Sequence, residues 1–188
     1  MAIFENCALY FCRLDPKHPN SSFNKKNPTW EAQIRTSDVE QKKEWEEGNL
    51  YPKVIKYPDG HENEGEPILD DDGKKQWRVN LRKRSFNEKD NEPAAAVKVI
   101  DGDMNDVDPN SIGNGSIANV RVYQREYTNA ENGKKGIAST LMAIQITKHV
   151  IYVPKPRDDD FKKTNTQRIE PSKNTKEDVD STAEDDKF

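Results

Sequence analysis

One short segment of the chain alternates arginine with tyrosine, a pattern that suits contact with an unpaired nucleic acid strand. In NVRVYQREY, Val120 and Val122 fall on one face of an extended chain. The opposite face carries Arg121, Tyr123, Arg125 and Tyr127. Guanidinium groups pair with phosphates, and phenol rings offer flat faces on which bases stack. The segment is therefore a candidate surface for phosphates and bases together.

A second segment, QWRVNLRKRSF, repeats the pattern with more charge. Its inward face is predicted to carry Trp77, Val79 and Leu81. The outward residues are Arg78, Asn80, Arg82, Arg84 and Phe86. With Lys74 and Lys75 in front of it, residues 74–89 have a net charge of +6. Arginine and tyrosine are ordinary on exposed strands, so one row alone would mean little, but two rows favour nucleic-acid binding.

The residues that could support catalysis are fewer and more loosely spaced. Asp59, Asp72 and Lys74 fit a loose metal-dependent nuclease pattern, which stays open as an alternative. The segment DGDMNDVD resembles a calcium loop but lacks the glycine and the glutamate that such a loop needs, so a solvated turn is the better interpretation. No phosphate-binding glycine loop or nucleophile motif occurs. We therefore predict a protein that is not an enzyme and needs no metal or cofactor.

Composition divides the chain into a neutral body and an acidic end. Hydrophobic residues make up 32% of the 188 residues and charged residues 34%, so the core must be small. Residues 158–188 hold ten acidic and six basic side chains, and this net −4 is the whole net charge of the chain. We predict a domain over residues 1–157 and a disordered acidic tail over residues 158–188. The tail ends in Glu184, Asp185, Asp186, Lys187 and an isolated aromatic, Phe188.

The amino-terminal segment has neither a basic start nor an apolar run long enough for a signal peptide or a membrane span. This predicts a soluble intracellular protein without membrane contact. The two cysteines, Cys7 and Cys12, are five residues apart, which places them on opposite faces of a regular strand. They are expected to be small buried residues in a reducing compartment.

The elements that must position these residues are mostly strands. NPTWEAQIRTS alternates cleanly, with Trp30, Ala32 and Ile34 on one face, and CALYFCRL is a further strand. Ser37 and Glu40 have capping-box spacing, so one short surface helix should begin there. Residues 58–75 are predicted to be a long mobile loop, and NAENGKKG a hairpin turn between two long strands. The sum is a mainly β protein, a five- to six-stranded antiparallel barrel with one short helix.

Several segments resemble the single-stranded-DNA-binding proteins of bacteriophage replisomes, especially those of short-tailed phages. The resemblance covers most of residues 1–161 and the acidic end that finishes in Phe188. It rests on LDPKHPNSSFNKKNPTWEAQIRT, WRVNLRKRS, VDPNSIGNGSIANVRVYQREY and KGIASTLMAIQITKHVIYVPKPRDDDF.

The resemblance implies an OB-fold-like barrel that coats single-stranded DNA without sequence preference during phage DNA replication and recombination. It also implies that the acidic tail recruits the phage DNA polymerase and the helicase-primase, and that some members form homodimers. The expected location is the cytoplasm of the infected bacterial host. A protein-only replisome adaptor, in which the tail is the active part, is the other alternative.

Overall fold

The structure is a computed structural model of the chain, and it describes residues 1–22, 25–87, 92–129 and 133–153. Within these ranges the chain forms seven strands, one α-helix and one 3-10 helix, Pro109–Ser111. The helix α1 spans Val39–Glu47. The strands are β1 (Ala2–Arg13), β2 (Thr29–Thr36), β3 (Lys53–Val54), β4 (Trp77–Arg84), β5 (Lys98–Asp101), β6 (Ser116–Thr128) and β7 (Lys135–Lys148).

Five of the strands close into a barrel in the order β1, β2, β4, β7, β6 and back to β1. Neighbours are antiparallel except for β4 and β7, which run parallel where Arg82 stands opposite Thr140. The short strand β3 extends the sheet beyond β4, and β5 pairs in parallel with β7. The predicted mainly β, OB-fold-like barrel is confirmed, with five strands in the barrel and two outside it.

The barrel is filled by the residues that strand alternation placed inward. Trp30, Ala32 and Ile34 of β2 are buried, as are Val79 and Leu81 of β4. The inward pair of β6, Val120 and Val122, is fully buried. Because the inward positions hold the apolar side chains, the basic and aromatic residues between them must face outward.

Two bulges in β1 break its alternation. Asn6 and Phe11 have positive φ angles of 51° and 50°, and the pairing register of β1 shifts near each of them. The second bulge places Tyr10 and Phe11 both outside the barrel and brings Cys12 against the core, on the same side as Cys7. The prediction that the two cysteines lie on opposite faces is therefore wrong, because it assumed a regular strand.

The helix α1 begins one residue later than predicted. Its N-cap is Asp38 rather than Ser37, and the Asp38 carboxylate accepts the backbone N–H of Glu40 at 2.8 Å. Trp45 is buried in the core, whereas Val39 is 64% exposed. The helix is thus a surface element that is attached to the barrel through one large side chain.

The connection between β3 and β4 folds into a series of turns with isolated pairings of Lys56 with Pro67 and of Leu69 with Lys75. The Tyr57 and His61 rings stack there with centroids 4.4 Å apart. In the ranges that the structure describes, no helix has the length and apolar character needed to cross a membrane. The predicted domain boundary at residue 157 and the predicted disordered tail lie outside the described residues.

Candidate nucleic-acid interface

The outer face of β4 carries the predicted row of arginines. Arg78, Arg82 and Arg84 are all exposed, and they alternate with the buried Val79 and Leu81. β4 pairs along its whole length with β2, so the outward residues of the two strands form one continuous surface. In barrels of this class, the face of the second and third barrel strands, together with the first and the last interstrand loops of the barrel, forms the binding surface. Here those two strands are β2 and β4.

The hairpin of β6 and β7 carries most of the second predicted row. Tyr123 and Tyr127 are 45% and 49% exposed, and Arg125 lies between them on the same face. Their cross-strand partners are small residues, Thr140, Ala138 and Gly136. The Tyr127 ring lies so close to Gly136 that a Cβ added there would approach ring atoms to 2.8 Å. The hairpin therefore exposes two phenol rings and a guanidinium group, and the opposite strand carries only small side chains beside them.

The two predicted rows come together at one position. β4 and β6 are not neighbours, because β7 lies between them. Thr140 of β7 stands opposite Arg82 on one side and opposite Tyr123 on the other. With strands about 4.8 Å apart, Arg82 and Tyr123 are separated by roughly 10 Å across the surface. An extended ligand can cross from the β4 row to the hairpin at this point.

Arg121 belongs to a different part of the surface. It stands opposite Ile3 of β1 and Ala143 of β7, and it lines a hollow with Lys98 and Met104 near β5. The structure therefore does not bring Arg121 beside the arginines of β4, although it lies on the same strand as Tyr123.

The remaining predicted residues flank the two ends of β4. Lys74 and Lys75 precede the strand, and the Lys74 ammonium lies 3.9 Å from the Asp72 carboxylate, with both side chains largely exposed. Phe86 follows the strand, and its backbone N–H donates to Asn27 Oδ1 at 3.3 Å. Phe86 is 39% exposed, so part of its ring remains available for contact.

Residues of β1 and β2 that sequence reasoning missed complete the face. The Arg35 guanidinium lies 4.3 Å from the centroid of the Tyr10 ring and 5.1 Å from that of Phe11. Arg35 Nε donates to Gln33 Oε1 at 2.6 Å. Burial lowers the pKa of Arg35, nearby Tyr10 opposes the shift and nearby Arg78 adds to it. The Arg35 guanidinium is thus held in place by two aromatic rings and the Gln33 amide.

Three cations stand side by side across neighbouring strands. Arg35 of β2 is opposite Arg78 of β4, which is opposite Lys53 of β3. Among the described residues, no carboxylate lies within 4.0 Å of any of these three groups. Like charges placed opposite each other on strands destabilise a sheet. The row is therefore suited to an anionic ligand, which would relieve the repulsion.

A hollow of about 380 Å³ runs over the β1, β2 and β4 surface beside this row. A hydrogen bond of 2.7 Å from Gln33 to Asn80 crosses its floor. Arg82 and Glu31 meet at one side, with 3.9 Å between Arg82 Nε and Glu31 Oε2. The side chains around it belong to Phe11, Arg13, Ser22, Glu31, Gln33, Asn80 and Arg82. Cations, amides and one exposed aromatic ring thus share one open groove.

Two acidic loops within the described ranges form turns. The Asp101 carboxylate accepts the backbone N–H groups of Asn105 and Asp103 at 2.8 and 2.9 Å, and the bonds from Asn105 are the main reason that its pKa is lowered. The solvated turn predicted for DGDMNDVD is confirmed. Asp70 is held in the same way by the N–H groups of Asp72 and Lys74. Across the described ranges, no group of three or more His, Cys, Asp or Glu side chains is arranged to hold a metal ion.

Solved structures of phage single-stranded DNA-binding proteins are similar to the chain, although no protein-family model and no curated protein matches it. The single-stranded DNA-binding protein of bacteriophage Enc34, solved in complex with ssDNA, has a TM-score of 0.50 and 15% identity. That match covers 79% of this chain and 86% of the Enc34 protein. The T7 single-stranded DNA-binding protein gp2.5 has a TM-score of 0.48 and 10% identity, over 87% and 96% of the two chains. The likeness to the Enc34 protein shows that this chain has the fold of a phage single-stranded DNA-binding protein.

Proposed function

We propose that this chain, with the fold it shares with a phage single-stranded DNA-binding protein, binds single-stranded DNA without sequence preference. The observation that carries the proposal is the concentration of cations and exposed aromatic rings on one face, that of β2, β4 and the β6–β7 hairpin. The Enc34 protein was solved in complex with ssDNA, which supports the same ligand here. The residues of this face that we propose to contact DNA are Lys53, Lys74, Lys75, Arg35, Arg78, Arg82, Arg84, Phe86, Tyr123, Arg125 and Tyr127. Arg121, which lies near β5, is not among them.

The proposed mechanism separates charge from stacking. Arg35, Arg78 and Arg82 neutralise phosphates, while Tyr123 and Tyr127 provide faces on which bases stack. Every base has a stacking face and every phosphate has the same charge, so these contacts do not distinguish sequences. A duplex hides its base faces, which makes an unpaired strand the preferred ligand.

We further propose that the protein serves phage DNA replication and recombination as a non-enzymatic binding protein in the cytoplasm of the infected host. In this proposal the acidic tail, with Glu184, Asp185, Asp186 and Phe188, recruits the phage DNA polymerase and the helicase-primase. These four residues lie outside the described ranges, so their role rests on their chemical character and the sequence resemblance. A homodimer is part of the proposal on the resemblance alone.

The proposal is tested by titrating the full chain with fluorescent single-stranded and duplex DNA at several salt concentrations. If about four phosphates are neutralised, the logarithm of the binding constant should fall with a slope near −3 against the logarithm of salt concentration. Arg82→Gln should weaken binding and make the slope shallower by about 0.7. Lys43→Gln is the matched control, because Lys43 lies on the exposed surface of α1 beside Glu47. Equal affinity for duplex and single strand, or binding that ignores salt, would refute the proposal.

A further inference from the structure

We infer that the second bulge of β1 holds Phe11 outward as a stacking platform for one nucleobase, and that Asn114 is the residue that fixes this bulge. The inference rests on the proposed function, since it assigns a base-contact site to the same face. It concerns two residues that strand alternation does not point to, one in β1 and one in the loop before β6.

The bulge changes what the strand shows to solvent. In a regular strand, Leu9 inward would be followed by Tyr10 outward and Phe11 inward. The bulge turns Phe11 out as well, and the ring is 58% exposed. A φ of 50° is rare for a bulky residue, and such a conformation persists only where the surrounding structure enforces it. An exposed aromatic ring in a disfavoured backbone conformation indicates a role at the surface.

Asn114 supplies the enforcement. The Phe11 N–H, which the bulge removes from the strand ladder, donates to Asn114 Oδ1 at 2.8 Å. The N–H of the next residue, Gly115, donates to Leu9 O at 2.8 Å. The loop therefore forms hydrogen bonds with β1 on both sides of Tyr10.

The loop that carries Asn114 is itself fixed. The Gly113 N–H donates to Val150 O at 2.7 Å, and a Cβ on residue 113 would come within 2.8 Å of that oxygen. The fully buried Ser116 donates its hydroxyl to Gly113 O at 2.8 Å and accepts the Val150 N–H at 3.1 Å. Asn114 thus presents its amide from a rigid support.

The first bulge of β1 has the same arrangement and serves as a natural control. Asn6 has a φ of 51°, and its N–H donates to Asn119 Oδ1 at 3.2 Å. Asparagine tolerates this conformation far better than phenylalanine, and Asn6 carries no flat ring. The same clamp therefore occurs twice in one strand, but only the clamp at Phe11 presents an aromatic ring.

The surroundings of the ring specify the ligand. Phe11 lines the groove that also contains Arg13 and Arg82, and the Arg35 guanidinium lies 5.1 Å from its centroid. A base can stack on the part of the ring that faces the groove while the neighbouring guanidinium groups pair with the flanking phosphates. A nucleobase of a single strand meets both requirements.

The test compares affinities for oligothymidine and for an abasic oligonucleotide of the same length. Phe11→Ala and Phe11→Gly should each weaken oligothymidine binding by about 5- to 100-fold, the usual range for one stacked base. Phe11→Gly suits the positive φ, so it removes the ring without endangering the fold, and Phe11→Tyr keeps the ring and should bind as the wild type does. Neither deletion of the ring should alter abasic binding. Asn114→Ala should give a smaller loss confined to oligothymidine, and Asn119→Ala should give none.

The outcomes separate this inference from the proposed function. Equal losses on both oligonucleotides, or no loss on either, would overturn the platform while leaving single-strand binding intact. An Asn119→Ala loss as large as that of Asn114→Ala would overturn the role of Asn114. A wild-type chain that binds neither oligonucleotide would overturn the proposed function and the platform with it.

Discussion

The position of the Tyr127 ring depends on the absence of a side chain at Gly136. A methyl group at residue 136 would approach the outer atoms of the ring to 2.8 Å. Because those atoms are the far end of an exposed side chain, the ring can swing away at little energetic expense. We expect Gly136→Ala to change the free energy of unfolding by no more than about 1 kcal/mol, yet to weaken single-strand binding by displacing the ring.

A double-mutant cycle checks this prediction by calorimetry and DNA titration. In a Tyr127→Ala background, Gly136→Ala should have no further effect on affinity, because the ring it displaces is already gone. Additive losses would show that residue 136 acts on DNA binding by another route.

We expect the two thiols to react slowly in the folded protein. Burial raises the pKa of Cys7 and of Cys12 from the ordinary value of 9.0 to about 12, and a hydrogen bond to Trp45 opposes the shift at Cys7. The neutral thiol is thus favoured by folding, so its contribution to stability is complete below pH 9.0 and is lost as pH rises toward 12. We predict slow labelling by a thiol reagent at pH 8, with the half-buried Cys12 reacting before the fully buried Cys7. Labelling as fast as in urea would contradict this.

At the scale of elements, the start of α1 can be tested by its cap. Asp38→Ala removes the carboxylate that accepts the Glu40 N–H and should lower the free energy of unfolding by about 1 kcal/mol. Asp38→Asn is the matched control, because asparagine caps helices about as well as aspartate. Urea unfolding monitored by circular dichroism measures both. A loss as large in Asp38→Asn as in Asp38→Ala would mean that charge, and not capping, stabilises this end.

The strands were predictable from sequence, and the bulges were not. Alternation identified β2, β4 and β6 because buried apolar side chains occupy every second position over part of each strand. The bulge at Phe11 escapes this reasoning because its positive φ is held by Asn114, a residue far away in the sequence. The helix cap was displaced by one residue for a local reason, since Ser37 and Asp38 can both cap a helix.

At the scale of the whole molecule, half of the candidate site could be predicted. The arginines of β4 and the tyrosines of β6 stand out because each set lies on one strand. Arg35 and Tyr10 do not stand out in the sequence. Only the pairing of β1 with β2 brings the Arg35 guanidinium to 4.3 Å from the centroid of the Tyr10 ring. The separation of β4 from β6 by β7 likewise follows from barrel closure, which no local pattern encodes.

The proposed tail leads to a prediction for the intact chain. Residues 177–188 carry six acidic side chains and one lysine, so this segment repels DNA phosphates at low salt. Removal of residues 177–188 should therefore strengthen single-strand binding at low salt, and the gain should vanish at high salt. Titrations of both chains at two salt concentrations measure this.

Removal of Phe188 alone is the matched control for the charge effect. It should leave DNA affinity nearly unchanged but reduce capture of the phage polymerase in a pull-down. Unchanged capture would contradict the proposed role of the terminal aromatic.

The parallel contact between β4 and β7 has a consequence for where the barrel opens locally. In the described residues its register is set at Arg82 and Thr140, whereas the other barrel seams are antiparallel ladders of several pairs. Local opening begins where backbone pairing is sparse, so amide protons along this seam should exchange with solvent first. A DNA strand that crosses from Arg82 to Tyr123 would contact both sides of this seam and hold β4 and β7 together. The ligand would then slow exchange within the barrel wall itself, far beyond the atoms it touches.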